Sequence, residues 1–200
     1  MKRLTRHTVI GSALLLACVA CTSGKGGSVP SALPSSTEPS RLLQLPVVNL
    51  ADDPLSEQDG SIGPEKRRVI GEVRNGPDRI IIYTAGQKCG LATTREGDER
   101  HLSIYLLTAW PKDSNQGDKH LPFGPYLNSS ATGSGGTWAS ISCGKDAMVV
   151  KFFAPHISGT SKYRGSLNVV KPLNAGSPIS VVAGTREIRE KISTALKAHS

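Results

Sequence analysis

Short runs of apolar and β-branched residues, separated by turn residues, dominate the chain after residue 65. Residues 68–74 and 79–84 flank the turn signal Asn75-Gly76-Pro77-Asp78, which predicts a hairpin. Residues 101–106 alternate polar with apolar side chains, as half-buried strands do. The pattern as a whole predicts eight strands: 68–74, 79–84, 91–95, 100–110, 137–143, 147–154, 163–170 and 179–183.

The last segment has a helical period instead. Ile188, Ile192, Ala195 and Leu196 recur at the spacing of one helix face, and Gly184-Thr185 precedes them as a candidate cap. Many short strands followed by one helix predict a mainly β fold. We expect an antiparallel sandwich or open barrel of about eight short strands with one C-terminal amphipathic helix.

The first twenty residues have the layout of an export signal. Lys2, Arg3 and Arg6 form a cationic start, and residues 8–20 are uncharged and mostly apolar. A transmembrane helix needs roughly 20 apolar residues, so this run is too short to span a membrane. The pattern therefore predicts a signal peptide over residues 1–20.

Two cysteines stand at the end of this run. Leu15-Leu16-Ala17 precedes Cys18, and Cys18-Val19-Ala20 precedes Cys21. Both sequences resemble the lipobox of bacterial lipoproteins. The resemblance implies cleavage just before the cysteine, diacylglycerol on its thiol, and a chain held at the extracytoplasmic face of the cell membrane. Cys18 has the more typical leucine three residues earlier, whereas Cys21 has the more polar sequence after it. We expect the lipid on Cys21, with Cys18 as the alternative.

The residues after Cys21 are rich in Ser, Gly and Pro up to about residue 40 and bury too little apolar surface to fold. The composition predicts a flexible tether over residues 21–64, with an end-to-end distance of about 35 Å as a random coil. A single β-rich domain is expected over residues 65–200. Residues 42–50 are more apolar than their neighbours. They are either a segment laid extended across the domain or a docking peptide for a partner.

Cys89 and Cys143 remain after the signal region is removed. In an oxidising compartment they are expected to form a disulfide. Such a bond closes a loop of about fifty residues and would stabilise the fold by about 4 kcal/mol. The alternative is a free nucleophilic thiol, which would need a nearby cation or helix terminus to lower its pKa.

The chain is basic, with a formal net charge of +8. Lys2, Arg3 and Arg6 account for three of these charges, which leaves +5 after the signal peptide. Basic residues are interspersed with acidic ones along the sequence. This pattern favours a modest attraction to anionic envelope surfaces, and no nucleic-acid partner is expected.

A long connection at residues 111–136 is the first place to look for a binding site, because loops longer than about 12–15 residues are often functional. His120, Phe123 and Tyr126 are its candidate binding residues, as they would present an aromatic surface to a ligand or partner. The alternative interpretation is that Phe123 and Tyr126 hold the loop against the core.

The sequence lacks the common catalytic motifs. The sequence has no His-Glu-x-x-His, no Gly-x-Ser-x-Gly and no phosphate-binding loop. Ser142-Cys143-Gly144-Lys145 matches the Ser-x-x-Lys of penicillin-binding enzymes, but the Lys-Thr-Gly element of that family is missing. No histidine pair has metal-ligand spacing, so neither a metal nor a cofactor is predicted. Trp110 and Trp138 lie on or beside predicted strands, which favours core packing over sugar binding.

Together these features predict a lipid-anchored extracytoplasmic protein that is a non-catalytic binding or protein-interaction module. Its partner would be an envelope protein or the cell wall. The alternative is a small cell-envelope hydrolase or transpeptidase. No feature of the sequence indicates an oligomeric state.

Overall fold

The computed structural model describes residues 40–56, 67–98, 101–113, 121–155, 161–172, 174 and 176–198. These residues form two antiparallel five-stranded sheets and one C-terminal helix, which confirms the mainly β sandwich predicted from the sequence. The expected signal peptide, both candidate lipidation cysteines and His120 lie outside the described residues. No described helix is both long enough and apolar enough to cross a membrane.

The elements in chain order are β1 (Arg67–Asn75), β2 (Asp78–Ala85), β3 (Lys88–Arg95), β4 (Ile104–Ala109), β5 (Leu127–Thr132), β6 (Trp138–Cys143), β7 (Ala147–Phe153), β8 (Ser161–Gly165), β9 (Leu167–Val170), β10 (Ile179–Gly184) and α1 (Arg186–Ala198). The first sheet has the order β4-β3-β2-β1-β8, and the second has the order β5-β6-β7-β10-β9. The chain therefore crosses from the first sheet to the second between β4 and β5, returns at β8, and crosses again at β9.

The main core lies between the two sheets. Ile82 and Leu91 of the first sheet, and Ile141 of the second, are fully buried there. Cys89 of β3 is bonded to Cys143 of β6, with 5.6 Å between their Cα atoms. The expected disulfide is thus confirmed, and it joins the two sheets face to face through the core.

Helix α1 covers part of the outer face of the second sheet. Ile188 and Ile192, two residues of its predicted apolar face, are fully buried. They form a second core cluster with Val149 of β7 and Val182 of β10.

Two strands differ from the sequence prediction. β5 lies inside the stretch predicted as a loop. It was not predicted as a strand because its exposed residues Asn128, Ser130 and Thr132 are polar, and an edge strand of this kind has no apolar pattern. The single strand predicted over 163–170 is divided into β8 and β9, which belong to different sheets. Gly165 permits this crossing, since its φ is +96° and a Cβ there would collide with the carbonyl oxygen of Ile70.

Residues 40–56, the N-terminal segment, pack on the sandwich although they fall within the predicted tether. Leu42 is buried in the main core, and Leu55 is buried on the outer face of the first sheet. The amide of Val48 donates to the carbonyl of Val69 at 2.8 Å. The described part of the fold starts at Ser40. The apolar stretch at residues 42–50 lies across the domain, which is one of the two interpretations given by the sequence.

Candidate functional site

A β-bulge in β1 decides which side chains reach the outer face of the first sheet. The register with β2 shifts between Val69 and Gly71, so Ile70 is an extra residue. Alternate strand residues face opposite sides, and the bulge reverses this alternation for the residues that follow. Val73 is consequently buried in the main core, and Glu72 lies on the outer face.

Three cations from adjacent strands form one row on this outer face. Arg74 of β1 lies directly opposite Lys162 of β8 on one side and Arg79 of β2 on the other. In the next row, Arg164 of β8 lies opposite Glu72. Like charges at opposed positions repel each other and destabilise a sheet. The sheet therefore needs a negative charge nearby to offset the repulsion within this row.

Glu72 supplies that compensation. Its Oε1 accepts hydrogen bonds from Arg79 Nε at 2.6 Å and Arg74 Nε at 3.3 Å, and its Oε2 accepts one from Arg164 Nε. Burial of this side chain, which is 4% exposed, would by itself raise its pKa. The hydrogen bonds and charges of Arg164 and Arg79 outweigh burial and hold the pKa of Glu72 below its ordinary value. The carboxylate is therefore ionised at neutral pH.

The guanidinium groups bind Glu72 through Nε, which leaves their terminal nitrogens for other partners. Arg79 uses one of these on the carbonyl of Asp52, at 3.0 Å. Arg74 and Arg164 are 62% and 48% exposed, and Glu72 is their one hydrogen-bond partner within the described part of the chain. An oriented guanidinium with unused terminal nitrogens is suited to bidentate binding of a phosphate or carboxylate.

These side chains line an open groove of about 360 Å³. Its lining residues are Ala51, Glu72, Arg74, Lys162, Tyr163 and Arg164. Ala51 belongs to the N-terminal segment, which is fixed nearby by an ion pair of 2.7 Å between Asp53 and Arg67. The three cations of the groove, the adjoining Arg79 and the carboxylate of Glu72 carry a net charge of +3, and two acidic residues, Asp78 and Glu96, line the neighbouring depression. We call this site the basic groove.

The candidate binding loop is held against the domain at its described residues. Tyr126 is fully buried beneath α1, and its hydroxyl donates to the carbonyl of Pro122. Phe123 is half-buried, and Lys191 Nζ of α1 lies 5.3 Å from the centre of its ring. Tyr126 therefore offers no aromatic surface to a ligand, which favours the anchoring interpretation. His120 lies outside the described residues.

The remaining candidates for chemistry occupy structural positions. Cys89 and Cys143 are bonded to each other, so neither sulfur is a thiol nucleophile in this structure. Trp110 is buried in the main core as expected. Trp138 is only half-buried, because it alternates with Ala139 of the core and faces outward. Where the structure is described, no three metal-binding side chains lie together.

The sequence analysis missed the basic groove. The basic residues are interspersed along the sequence, but the sheet brings Arg74, Arg79, Lys162 and Arg164 together, and this corrects the expectation of scattered charge. One signal was available. The predicted hairpin around residues 75–78 already places Arg74 opposite Arg79, and such a like-charge pair is a reason to search for a partner.

Comparison with known proteins finds no matching family model, no matching curated protein and no matching solved structure.

Proposed function

We propose that this chain is a lipid-anchored, non-catalytic binding protein on the extracytoplasmic side of the cell membrane, and that its basic groove binds an anionic ligand of the envelope. The short apolar run and the lipobox-like sequences before Cys18 and Cys21 support the anchor. The disulfide between Cys89 and Cys143 supports an oxidising compartment.

The surplus of positive charge in the basic groove is the observation that carries the proposal. A cluster that served only the fold would need no more cations than balance Glu72, and the buried Arg79 already does so at 2.6 Å. Arg74 and Arg164 bind the same carboxylate but are themselves 62% and 48% exposed, so solvent screens their contribution to stability. Their terminal nitrogens, which have no partner among the described residues, are explained better by an anion that binds between them.

The position of the basic groove also supports this role. Ser40, the first described residue, donates from its hydroxyl to the carbonyl of Lys145 in the turn between β6 and β7. The strand registers place that turn at the disulfide end of the sandwich, whereas Arg74 and Arg79 flank the hairpin at the other end. Arg74 and Arg79 of the basic groove therefore lie at the end of the sandwich opposite to Ser40.

The anchor is tested by intact-mass analysis of the protein extracted from membranes. We expect cleavage before Cys21, a diacylglyceryl group on that residue, and one disulfide in the domain. Cys21→Ser should release the protein from the membrane, and Cys18→Ser should leave it anchored. The reverse pattern would move the lipid to Cys18, and an unmodified N-terminus would refute the anchor.

The basic groove is tested by calorimetric titration of the full-length protein in detergent with three probes: orthophosphate, tripolyphosphate and oligoglutamate. At least one probe should bind, and the double variant Arg74→Gln, Arg164→Gln should weaken that binding at least about tenfold, since each lost charge-assisted hydrogen bond costs about 1.5–3 kcal/mol. Lys151→Gln is the matched control, because Lys151 is an exposed cation on the second sheet. Equal weakening in the control, or no binding of any probe, would refute the proposed role.

A further inference from the structure

We infer that the basic groove accommodates a ligand with several linked phosphate groups, rather than a single anion. The inference rests on the proposed function and deepens it, because it names the chemistry and the minimum size of the ligand. Three observations carry it: the way in which Glu72 orients two arginines, the spacing of the exposed cations, and the volume of the groove.

The orientation of the arginines favours phosphate over carboxylate. Arg74 binds Oε1 of Glu72 and Arg164 binds Oε2, so the two guanidinium groups approach one carboxylate from its two oxygens. Both line the same groove. A ligand carboxylate has two oxygens and can bind one guanidinium fork in the bidentate manner, whereas a phosphate group has three acceptor oxygens and can bind both forks in this manner.

The spacing of the cations favours more than one phosphate group. Lys162 and Arg164 are two residues apart on the same face of β8, which separates their Cα atoms by about 7 Å. Arg74 lies on the neighbouring strand, opposite Lys162. One phosphate group between Arg74 and Arg164 would leave Lys162 for a second group further along β8.

The volume of the groove also allows more than one phosphate group. An open groove of about 360 Å³ has room for a ligand larger than one phosphate group. A smaller depression of about 70 Å³ continues from Arg74 and Arg79 towards Glu96. The carboxylate of Glu96 repels phosphate, which limits the basic surface to the row of three strands.

The test compares probes of equal chemistry and different length. By calorimetry, full-length protein in detergent should bind tripolyphosphate at least about tenfold more tightly than orthophosphate, the gain expected of one further charge-assisted contact. Lys162→Gln should remove most of this gain and leave orthophosphate binding unchanged within about twofold. Lys151→Gln should change neither. Lys162 is exposed, and an unchanged denaturation midpoint would show that its variant is folded.

Each other outcome overturns a defined part of the inference. Equal affinity for orthophosphate and tripolyphosphate would overturn the requirement for linked groups but leave anion binding in place. Oligoglutamate of equal charge that binds as tightly as tripolyphosphate would overturn the choice of phosphate. Phosphatidylglycerol vesicles that displace tripolyphosphate at equal phosphate concentration would assign the phosphates to a lipid surface instead of a linked chain. A failure of all probes would also refute the proposed function.

Discussion

The outer faces of the two sheets are covered by different kinds of side chain. On the second sheet, α1 places Ile188 and Ile192 over Val182, and the contact is apolar. On the first sheet, the N-terminal segment covers one part with Leu55, and the basic groove occupies another.

This difference separates the apolar contacts that the fold requires from the charged groups that it does not require. Apolar coverage stabilises a sheet by removing its side chains from water. A buried ion pair is poor evidence for a stabilising role, because apolar side chains of similar volume often serve the fold equally well or better. The basic groove is thus the part of the sandwich whose composition is not explained by stability, and for this reason we propose it as the binding site.

The largest expected effect comes from removing the central carboxylate. Glu72→Gln leaves the charge of Arg79 buried without compensation, since the two side chains are 4% and 6% exposed. Breaking such a pair costs about 3–5 kcal/mol. Denaturant titration should show this loss in the free energy of unfolding.

A matched control distinguishes this buried pair from ordinary surface pairs. Glu187 binds Lys191 at 2.8 Å on the exposed side of α1. Glu187→Gln should leave the free energy of unfolding unchanged within experimental error. If both variants lost the same amount, the burial of Glu72 would have no special role.

A second substitution tests the apolar face. Ile192→Ala removes a fully buried side chain between α1 and the second sheet and should cost about 3 kcal/mol, within the range for large-to-small core changes. Binding of tripolyphosphate should remain as in the parent protein under conditions where the variant is folded. A loss of binding by the folded variant would mean that the two faces are coupled, contrary to the comparison above.

Much of the fold was predictable because its strands carry the right local pattern. The hydrophobic pattern of several segments is typical of only one kind of element. Examples are the hairpin around residues 75–78, the strand at 147–154 and the helical apolar stripe with Ile188 and Ile192. The disulfide was predictable because two cysteines remain outside the predicted signal peptide. β5 was missed because an edge strand needs no apolar face, and its exposed residues are polar.

The basic groove was not predictable, for two physical reasons. First, the bulge at Ile70 reverses the alternation of β1, and regular alternation from Val69 would have placed Glu72 inward. Second, β8 joins β1 across more than eighty residues of sequence, and the pairing of Glu72 with Arg164 depends on this long-range contact. The packing of residues 42–55 on the sandwich was not predictable for a related reason. Leu42 is buried only because the sandwich provides its partners.

A smaller effect is expected from acid. The pKa of Glu72 is lowered in the folded state from its ordinary value of 4.5, so the unfolded chain takes up the proton first as the pH falls. The stabilisation by this carboxylate is complete above about pH 4.5 and is lost progressively as the pH drops towards the folded-state pKa. Unfolding free energies of the parent protein and Glu72→Gln, measured between about pH 6 and pH 3, should therefore converge on acidification. A difference that stays constant over this range would show that the charge of Glu72 is not responsible for it.

The smallest effect on stability should accompany a large effect on binding, and Arg164→Gln tests this directly. Arg164 is 48% exposed and Arg79 remains paired with Glu72, so the loss of the Arg164 bond should lower the free energy of unfolding by less than Glu72→Gln does. The same change removes one of the two guanidinium forks and should weaken tripolyphosphate binding about tenfold. Arg164→Lys keeps the charge but not the fork, and it should restore stability more fully than affinity because ammonium cannot bind phosphate in the bidentate manner. If the lysine variant recovered both properties, net charge alone would account for binding, and the orientation imposed by Glu72 would be unnecessary.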